Sequence, residues 1–297
     1  MLTSDVKTIH DLVGFNSNDT ESFTVQWDFN LQNFTIGGGL TIRCELETLA
    51  KLLDIKIINI NLVNSRVNNY DRGIFRDIFN SSKVLFTFNE TEYIDNLYPM
   101  NLMKVLNDNS YYSTSRLAYL KEITSIQPLL MWNSRFESGK DLMKKSFGDK
   151  YIFLHLRLFG LEKESRADIK IWKNLISQVS DISSLPLIFM GNDSYPEDFL
   201  KIKGVYLLKN YVPEIVSQLS LVPSASMFIG SASGIAGAAM YSEIPYLIFK
   251  HPEHHKDEIA RELKNGNQFP WALKNQLLLR QHPSLNIIKK FIVSELR

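Results

Sequence analysis

The chain has 297 residues, with 33 Lys and Arg against 32 Asp and Glu, for a formal net charge of +1. Its 44% hydrophobic and 22% charged residues are ordinary globular usage, which excludes a disordered chain, a collagen-like repeat and a coiled coil. A balance so near zero gives no overall field for nucleic acid or an anionic membrane, so neither is expected as a general partner; a local basic cleft remains compatible with it.

At roughly 150 residues per domain the length predicts two domains. The single cysteine, Cys44, excludes an internal disulfide and a Cys/His metal cluster, and reads as a small buried residue on a helix. The N-terminal stretch lacks a continuous apolar segment, so no signal peptide is expected. No run approaches the roughly 18 apolar residues that span a bilayer. The expected location is therefore the reducing cytoplasm, with peripheral membrane contact left open. Sequons at Asn18, Asn33 and Asn89 carry no weight without a secretory signal.

In chain order, the alternation of Phe23, Val25, Trp27 and Phe29 predicts a strand. Gly37-Gly38-Gly39 then turns into a helix through Leu46, Leu49, Leu52 and Leu53, and a strand follows from Ile55, completing a βαβ unit. Residues 66–109 are aromatic-rich and less regular, with one strand near Lys83–Phe88. Residues 110–148 are helical in places, and 137–149 reads as a hinge. Beyond it the alternation is clear. Strands are predicted at Tyr151–Arg157, Leu185–Met190, Gly204–Leu208, Ser226–Gly230 and Tyr246–Phe249, the last of these taken as the final strand. Helices are predicted at Ala167–Val179, Val212–Leu221 and Gly234–Ser242. Such alternation implies parallel sheets covered on both faces, with ligands beyond the carboxyl ends of the strands. The predicted domains are 1–145 and 146–297.

That rule selects the candidate residues. Gly37, Gly38 and Gly39 allow a tight turn and close approach of a ligand at a helix start. Arg43, one helical turn on, has the fork that clamps phosphate, unless it is a solvated helix arginine. His155 and Arg157 share one face at the end of a buried strand, where polar groups are costly unless paired or serving a ligand. Gly191-Asn192-Asp193 ends the next strand, as a ligand contact or an Asx-type loop. Gly230-Ser231-Ala232-Ser233-Gly234 joins a strand to a small-residue helix, and its N–H groups and two hydroxyls make a phosphate cradle. With Ala232 at its centre it is not a hydrolase nucleophile elbow. His251, His254 and His255 read as a polar loop rather than a metal site, for want of a carboxylate set.

Taken together, these motifs resemble GT-B glycosyltransferases, most closely the fucosyltransferase-type branch. That branch opens with strand, Gly-Gly-Leu-Gly-Asn-Arg/Gln and helix, and later carries a strand ending His-x-Arg. The counterparts here are Gly38-Gly39-Leu40-Thr41-Ile42-Arg43 and His155-Leu156-Arg157. Gly191-Asn192-Asp193 resembles the family's Ser/Thr-Asp-Asp element, and the Gly230–Gly234 loop its diphosphate-holding turn. Thr41-Ile42 replaces Gly-Asn, Leu158-Phe159-Gly160 follows the His-x-Arg element where many relatives have Arg-Gly-Asp, and Ala232 stands where heptosyltransferase-like proteins carry Asp. The resemblance implies two Rossmann-like domains with parallel sheets facing a cleft, the first on the acceptor side and the second binding a nucleotide sugar.

It further implies metal-independent, inverting transfer from a nucleotide diphosphate sugar, GDP-fucose among the candidates, to a glycan, lipid-linked or other hydroxyl acceptor. No cofactor or metal is needed. The implied catalytic residues are Arg157, His155 and Asp193. Donor binding falls to Gly230, Ser231, Ser233, Gly234 and Asn192, and the acceptor side to Gly37, Gly38, Gly39 and Arg43. The alternatives are a nucleotide-sugar-binding protein without catalysis and another GT-B-shaped enzyme such as a sugar epimerase.

Overall fold

The computed structural model describes residues 21–30, 34–65, 72–94, 98–99, 113–134, 137–159, 166–254, 263 and 266–296. The chain divides into two compact units, Met1–Asn133 and Ser134–Arg297. The division precedes the expected 145/146 boundary because the predicted hinge is a helix of the second unit. There a Cβ on Gly139 would stand 3.0 Å from Leu221 Cδ2.

In the first unit, β1 (Ser22–Asp28), α1 (Ile36–Leu53), β2 (Ile57–Val63), α2 (Arg72–Asn80), β3 (Leu85–Glu90), β4 (Tyr98–Pro99) and α3 (Ser113–Thr124) follow in order. The strands form an all-parallel sheet in the order β3-β2-β1-β4. Register places Phe23, Ile58 and Phe86 in one row and Val25 beside Ile60 in the next, so one face is apolar and buried. Trp27 meets Phe75 edge-on, and Phe75 packs at a tilt against Phe79, extending that core. The opposite face is polar: Thr24, Asn59 and Thr87 form one row, and Gln26, Asn61 and Asn89 the next.

Helix α1 begins earlier than the glycines suggested. Thr35 is its N-cap, with Oγ1 accepting from the Gly38 N–H at 3.0 Å, so Gly37, Gly38 and Gly39 lie inside the first turn. A Cβ on Gly39 would meet Phe34 Cε2 at 2.8 Å. That glycine is thus accounted for by helix packing.

The second unit begins with α4 (Glu137–Phe147), then β5 (Ile152–His155), α5 (Ile169–Ile182), β6 (Leu187–Phe189), α6 (Glu197–Leu200) and β7 (Val205–Leu207). It continues with α7 (Ile215–Ser220), β8 (Met227–Ser231), α8 (Gly237–Met240), β9 (Tyr246–Phe249), β10 (Gln276–Leu279) and α9 (Leu285–Leu296). The sheet is parallel throughout, in the order β10-β9-β8-β5-β6-β7. The chain runs outward from β5 to β7, then returns to the other side of β5, so the order reverses between β5 and β8. A reversal of this kind opens a ligand crevice at the carboxyl ends of the two strands.

One face packs Leu154, Phe189, Ile229 and Phe249 against Trp172 and Leu175 of α5, Phe199 of α6 and Phe291 of α9. Asp168 caps α5, its Oδ1 accepting from the N–H groups of Lys170 and Ile171. Tyr246–Phe249 is not the last strand. β10 lies beyond it and is anchored by buried Gln276, whose Nε2 donates to the carbonyls of Ser242 and Ile244.

Candidate active site in the second unit

Four strand ends are tied together at the carboxyl edge of the second sheet. His155 pairs with Gly230 in register, and a Cβ on Gly230 would fall 2.1 Å from the His155 carbonyl oxygen. The Arg157 N–H donates to Ser231 Oγ at 2.6 Å, joining the chain beyond β5 to the end of β8. The Ala232 N–H donates to the Phe249 carbonyl at 2.8 Å, and the Lys250 N–H to that of Leu279 at 2.9 Å. Groups mounted on these ends are therefore held by backbone bonding before any ligand arrives, the arrangement that favours electrostatic preorganisation.

His155 is enclosed rather than presented, with 3% of its surface exposed. Its Nδ1 lies 3.1 Å from the Met190 carbonyl and 3.3 Å from the Tyr195 hydroxyl. Burial holds the imidazole below its ordinary range, and Arg157 pushes the same way; the Met190 carbonyl and Asp193 oppose. Burial also pushes the Tyr195 phenol well up. The Gly191–Asp193 turn lies beside this ring. Gly191 adopts φ +95°. Fully buried Gln218 accepts from the Gly191 N–H at 2.8 Å and donates to Asn192 Oδ1 at 3.1 Å. Lys209 Nζ donates to the Asp193 carbonyl at 3.0 Å. The predicted turn is thus a rigid element, with Asn192 exposed and Asp193 half-buried.

A cavity of about 460 Å³ opens beside Ser231. Its floor includes Trp172 and Phe249, which belong to the α5 side of the core. Arg166, Lys250, His251, His254 and His282 also line it. Lys250 Nζ lies 2.9 Å from His254 Nδ1, and both residues are more than nine-tenths buried. The rings of His251 and His282 meet edge to face at 5.2 Å. Among the described lining residues the one carboxylate is Asp168, engaged in capping α5. A cavity of this volume with several cationic or imidazole groups suits a phosphorylated ligand in size and charge.

Of the residues expected from the sequence, only Ser231 lines this cavity; Arg157 is joined to it through the bond to Ser231. The Arg157 Nε donates to the Phe159 carbonyl at 3.3 Å, and among the described residues its two Nη groups make no hydrogen bond. Ser233 and Gly234 form a turn in which Ser233 Oγ accepts from the Ala236 N–H at 3.2 Å. Helix α8 has four residues and starts only at Gly237, so the expected helix N-terminus at Gly234 is a turn instead.

The clearest correction concerns Arg43. It is fully buried in the first unit, its Nε donating to Glu47 Oε1 at 2.7 Å. Nη1 donates to the Ile78 carbonyl and Ser81 Oγ, and Nη2 to the Met131 carbonyl, while the guanidinium lies over the Trp132 ring at 4.3 Å. Every nitrogen is committed inside the fold, so Arg43 is a structural anchor and not a phosphate clamp. Glu47 answers it by also accepting from Ser82 Oγ and the Met131 N–H. Cys44 is buried as expected, and burial raises its thiol well above the ordinary range.

Sequence reasoning took His251 and His254 as part of a polar loop and passed over Lys250, Arg166 and His282. The available signal was position: Lys250 directly follows an all-buried strand, the place where the open-sheet rule puts ligand contacts. His255 lies outside the described residues, as does Gly160. Among the described residues no group of three His, Cys, Asp or Glu side chains could hold a metal ion, and no helix is long and apolar enough to cross a membrane.

No protein-family model and no curated protein matches the chain. Solved structures do. The glycosyl transferase family 9 protein of Veillonella parvula matches with TM-score 0.53 at 10% identity, covering 95% of this chain and 99% of that one. E. coli heptosyltransferase WaaC with ADP matches with TM-score 0.52 at 8% identity, covering 92% and 98%. E. coli ADP-heptose LPS heptosyltransferase II matches with TM-score 0.51 at 9% identity, covering 92% and 97%. The chain therefore has the α/β architecture of GT-B-type glycosyltransferases over nearly its whole length, with two parallel sheets.

Proposed function

We propose that this protein is a glycosyltransferase that moves a sugar from a nucleotide diphosphate sugar to a hydroxyl acceptor, with the donor held by the second unit. The observation that carries the reading is the 460 Å³ cavity at the ends of β8 and β9, lined by Arg166, Lys250 and three histidines. When the bond from the sugar's anomeric carbon to the diphosphate breaks, negative charge grows on the leaving oxygen. Preorganised cations and N–H groups stabilise that charge most where water is scarce. The Arg157 Nη groups and the Ser233–Gly234 turn extend the donor array beyond the cavity. Such an array supports metal-independent, inverting displacement. His155 serves this reading by supporting the Gly191–Asp193 turn, its Nδ1 lying 3.1 Å from the Met190 carbonyl.

A thermal-shift screen with UDP-, GDP- and ADP-sugars tests the donor class, since a ligand that binds the folded state raises the melting temperature by mass action. GDP-fucose is the first arm, following the sequence resemblance. Arg157→Ala is expected to lower transfer by about 100- to 1,000-fold with the melting temperature unchanged. Near-normal turnover by that variant would overturn the assignment. Stabilisation by a donor with no product released, with and without acceptors, would favour the non-catalytic binding protein instead.

A further inference from the structure

We infer that buried Gln218 is a positioning residue that turns the Asn192 side chain outward as a hydrogen-bond donor, so that the end of β6 takes an acceptor atom of the ligand. The inference rests on the donor reading above only for the identity of that ligand, a nucleotide sugar. Gln218 is fully enclosed, one of the buried residues of α7 together with Ile215 and Leu219. An amide in such a place is costly unless hydrogen-bonded, and this one is bonded at both ends. Its Oε1 accepts from the Gly191 N–H at 2.8 Å. Its Nε2 donates to the Val212 carbonyl at 2.9 Å and to Asn192 Oδ1 at 3.1 Å. A backbone N–H only donates and a carbonyl only accepts, so Gly191 and Val212 admit one orientation of the Gln218 amide. Nε2 then presents its second proton to Asn192, whose Oδ1 must face it. The Asn192 Nδ2 therefore points away from Gln218, and among the described residues it makes no hydrogen bond.

The backbone on either side of Asn192 is held as firmly. Gly191 has φ +95°, and a Cβ there would stand 2.9 Å from Ile235 Cδ1 and 3.3 Å from His155 Nδ1. Lys209 Nζ ties down the Asp193 carbonyl on the other side. Folding alone accounts for the bonds to Gly191 and Val212, which join the turn after β6 to the residues before α7. It does not account for the third. Asn192 is exposed, and at an exposed rim water serves the second Nε2 proton as well as a side chain does. What the third bond adds is a fixed direction for an NH2 group at the carboxyl end of β6. That strand lies beside β5, on the edge where open parallel sheets bind ligands. A donor fixed in this way loses little freedom when an acceptor arrives.

Two measurements on the full chain test this. In the first, exchange of side-chain amide protons is followed by NMR without ligand, the signals being assigned by their loss in Asn192→Asp and Gln218→Glu. The Gln218 protons are expected to be protected and the Asn192 protons to exchange as freely as those of an exposed amide. Gln218→Glu keeps the acceptor for Gly191 but puts an acceptor where the donor stood, so Asn192 inverts and its protons become protected. In the second, UDP-glucose, GDP-fucose and ADP-glucose are titrated calorimetrically. For a probe that binds, Asn192→Ala and Gln218→Glu are each expected to weaken binding by about tenfold, and the double variant no further than Asn192→Ala alone. Gln218→Met, which releases Asn192 without inverting it, is expected to weaken binding by about threefold and serves should the acid variant not fold. Protected Asn192 protons in the ligand-free wild type overturn the inference. So does a probe whose affinity Asn192→Ala leaves unchanged, an outcome that keeps the donor reading. A double variant much weaker than Asn192→Ala alone overturns the positioning role, because Gln218 then acts on the turn as a whole. No binding of any probe, with the expected exchange pattern, overturns the donor reading and leaves the outward donor standing.

Discussion

The two units handle an arginine near a strand end or helix start in opposite ways. In the first, Arg43 is matched at every nitrogen by Glu47, Ser81, two carbonyls and the face of Trp132. In the second, half-buried Arg157 donates from Nε to the Phe159 carbonyl and keeps both Nη groups out of internal hydrogen bonds among the described residues. A cation satisfied by its own fold holds that fold together; a cation left with donors at a cavity edge is available to a ligand. Arg43 and Arg157 look alike in a sequence motif, and only enclosure separates them.

The comparison is broken most directly by removing each arginine. Arg43→Met leaves the Glu47 carboxylate buried without its counter-ion and is expected to cost about 3–5 kcal/mol in urea unfolding. Arg157→Ala is expected to change stability by less than about 0.5 kcal/mol while lowering transfer by about 100- to 1,000-fold. Equal effects of the two on unfolding would erase the distinction. Next in size is Gly230→Ala, whose methyl must displace the His155 carbonyl. About 1–3 kcal/mol is expected from overpacking, read as a fall in melting temperature together with loss of donor binding, because Ser231 follows directly.

A smaller effect sharpens the picture of His155. Its folded-state affinity for a proton is lowered by burial. The unfolded chain, with an imidazole near 6.5, takes up the proton that the folded ring refuses. This contribution to stability is therefore complete above about pH 6.5 and declines as the pH falls below it. Unfolding midpoints of wild type and His155→Gln, compared at pH 7.5 and 5.5, should show the wild type losing more on acidification. Parallel curves would mean that the ring is not held neutral. The smallest expected effect is none: treatment with EDTA should leave transfer unchanged, and strict metal dependence would contradict the proposed neutralisation of the leaving group by side chains and N–H groups.

The βαβ alternation was legible because β1 alternates apolar and polar residues, while β5, β6 and β8 are short apolar runs of the kind buried parallel strands show. β10 was missed because it begins with Gln276 amid polar neighbours; its burial depends on carbonyls more than 30 positions away. The Gly37–Gly39 run looked like a ligand loop because spacing cannot tell a turn from the first turn of a capped helix. Ser231 was found through its glycine-bounded loop. Lys250 and His254 were not, because the cavity exists only once β8, β9 and β10 are laid side by side, and no local window contains that pairing.

The approach of β8 to β5 at Gly230 has a consequence for variation. With 2.1 Å between a would-be Cβ and a backbone oxygen, no rotamer relieves the clash, since it precedes the first rotatable side-chain bond. Among all twenty residues at position 230, selection for folded protein should therefore recover glycine nearly alone, while exposed Asn192, at the rim of the neighbouring strand end, tolerates a broad set. The tightest constraint at this edge thus falls on a residue that contributes no side chain at all.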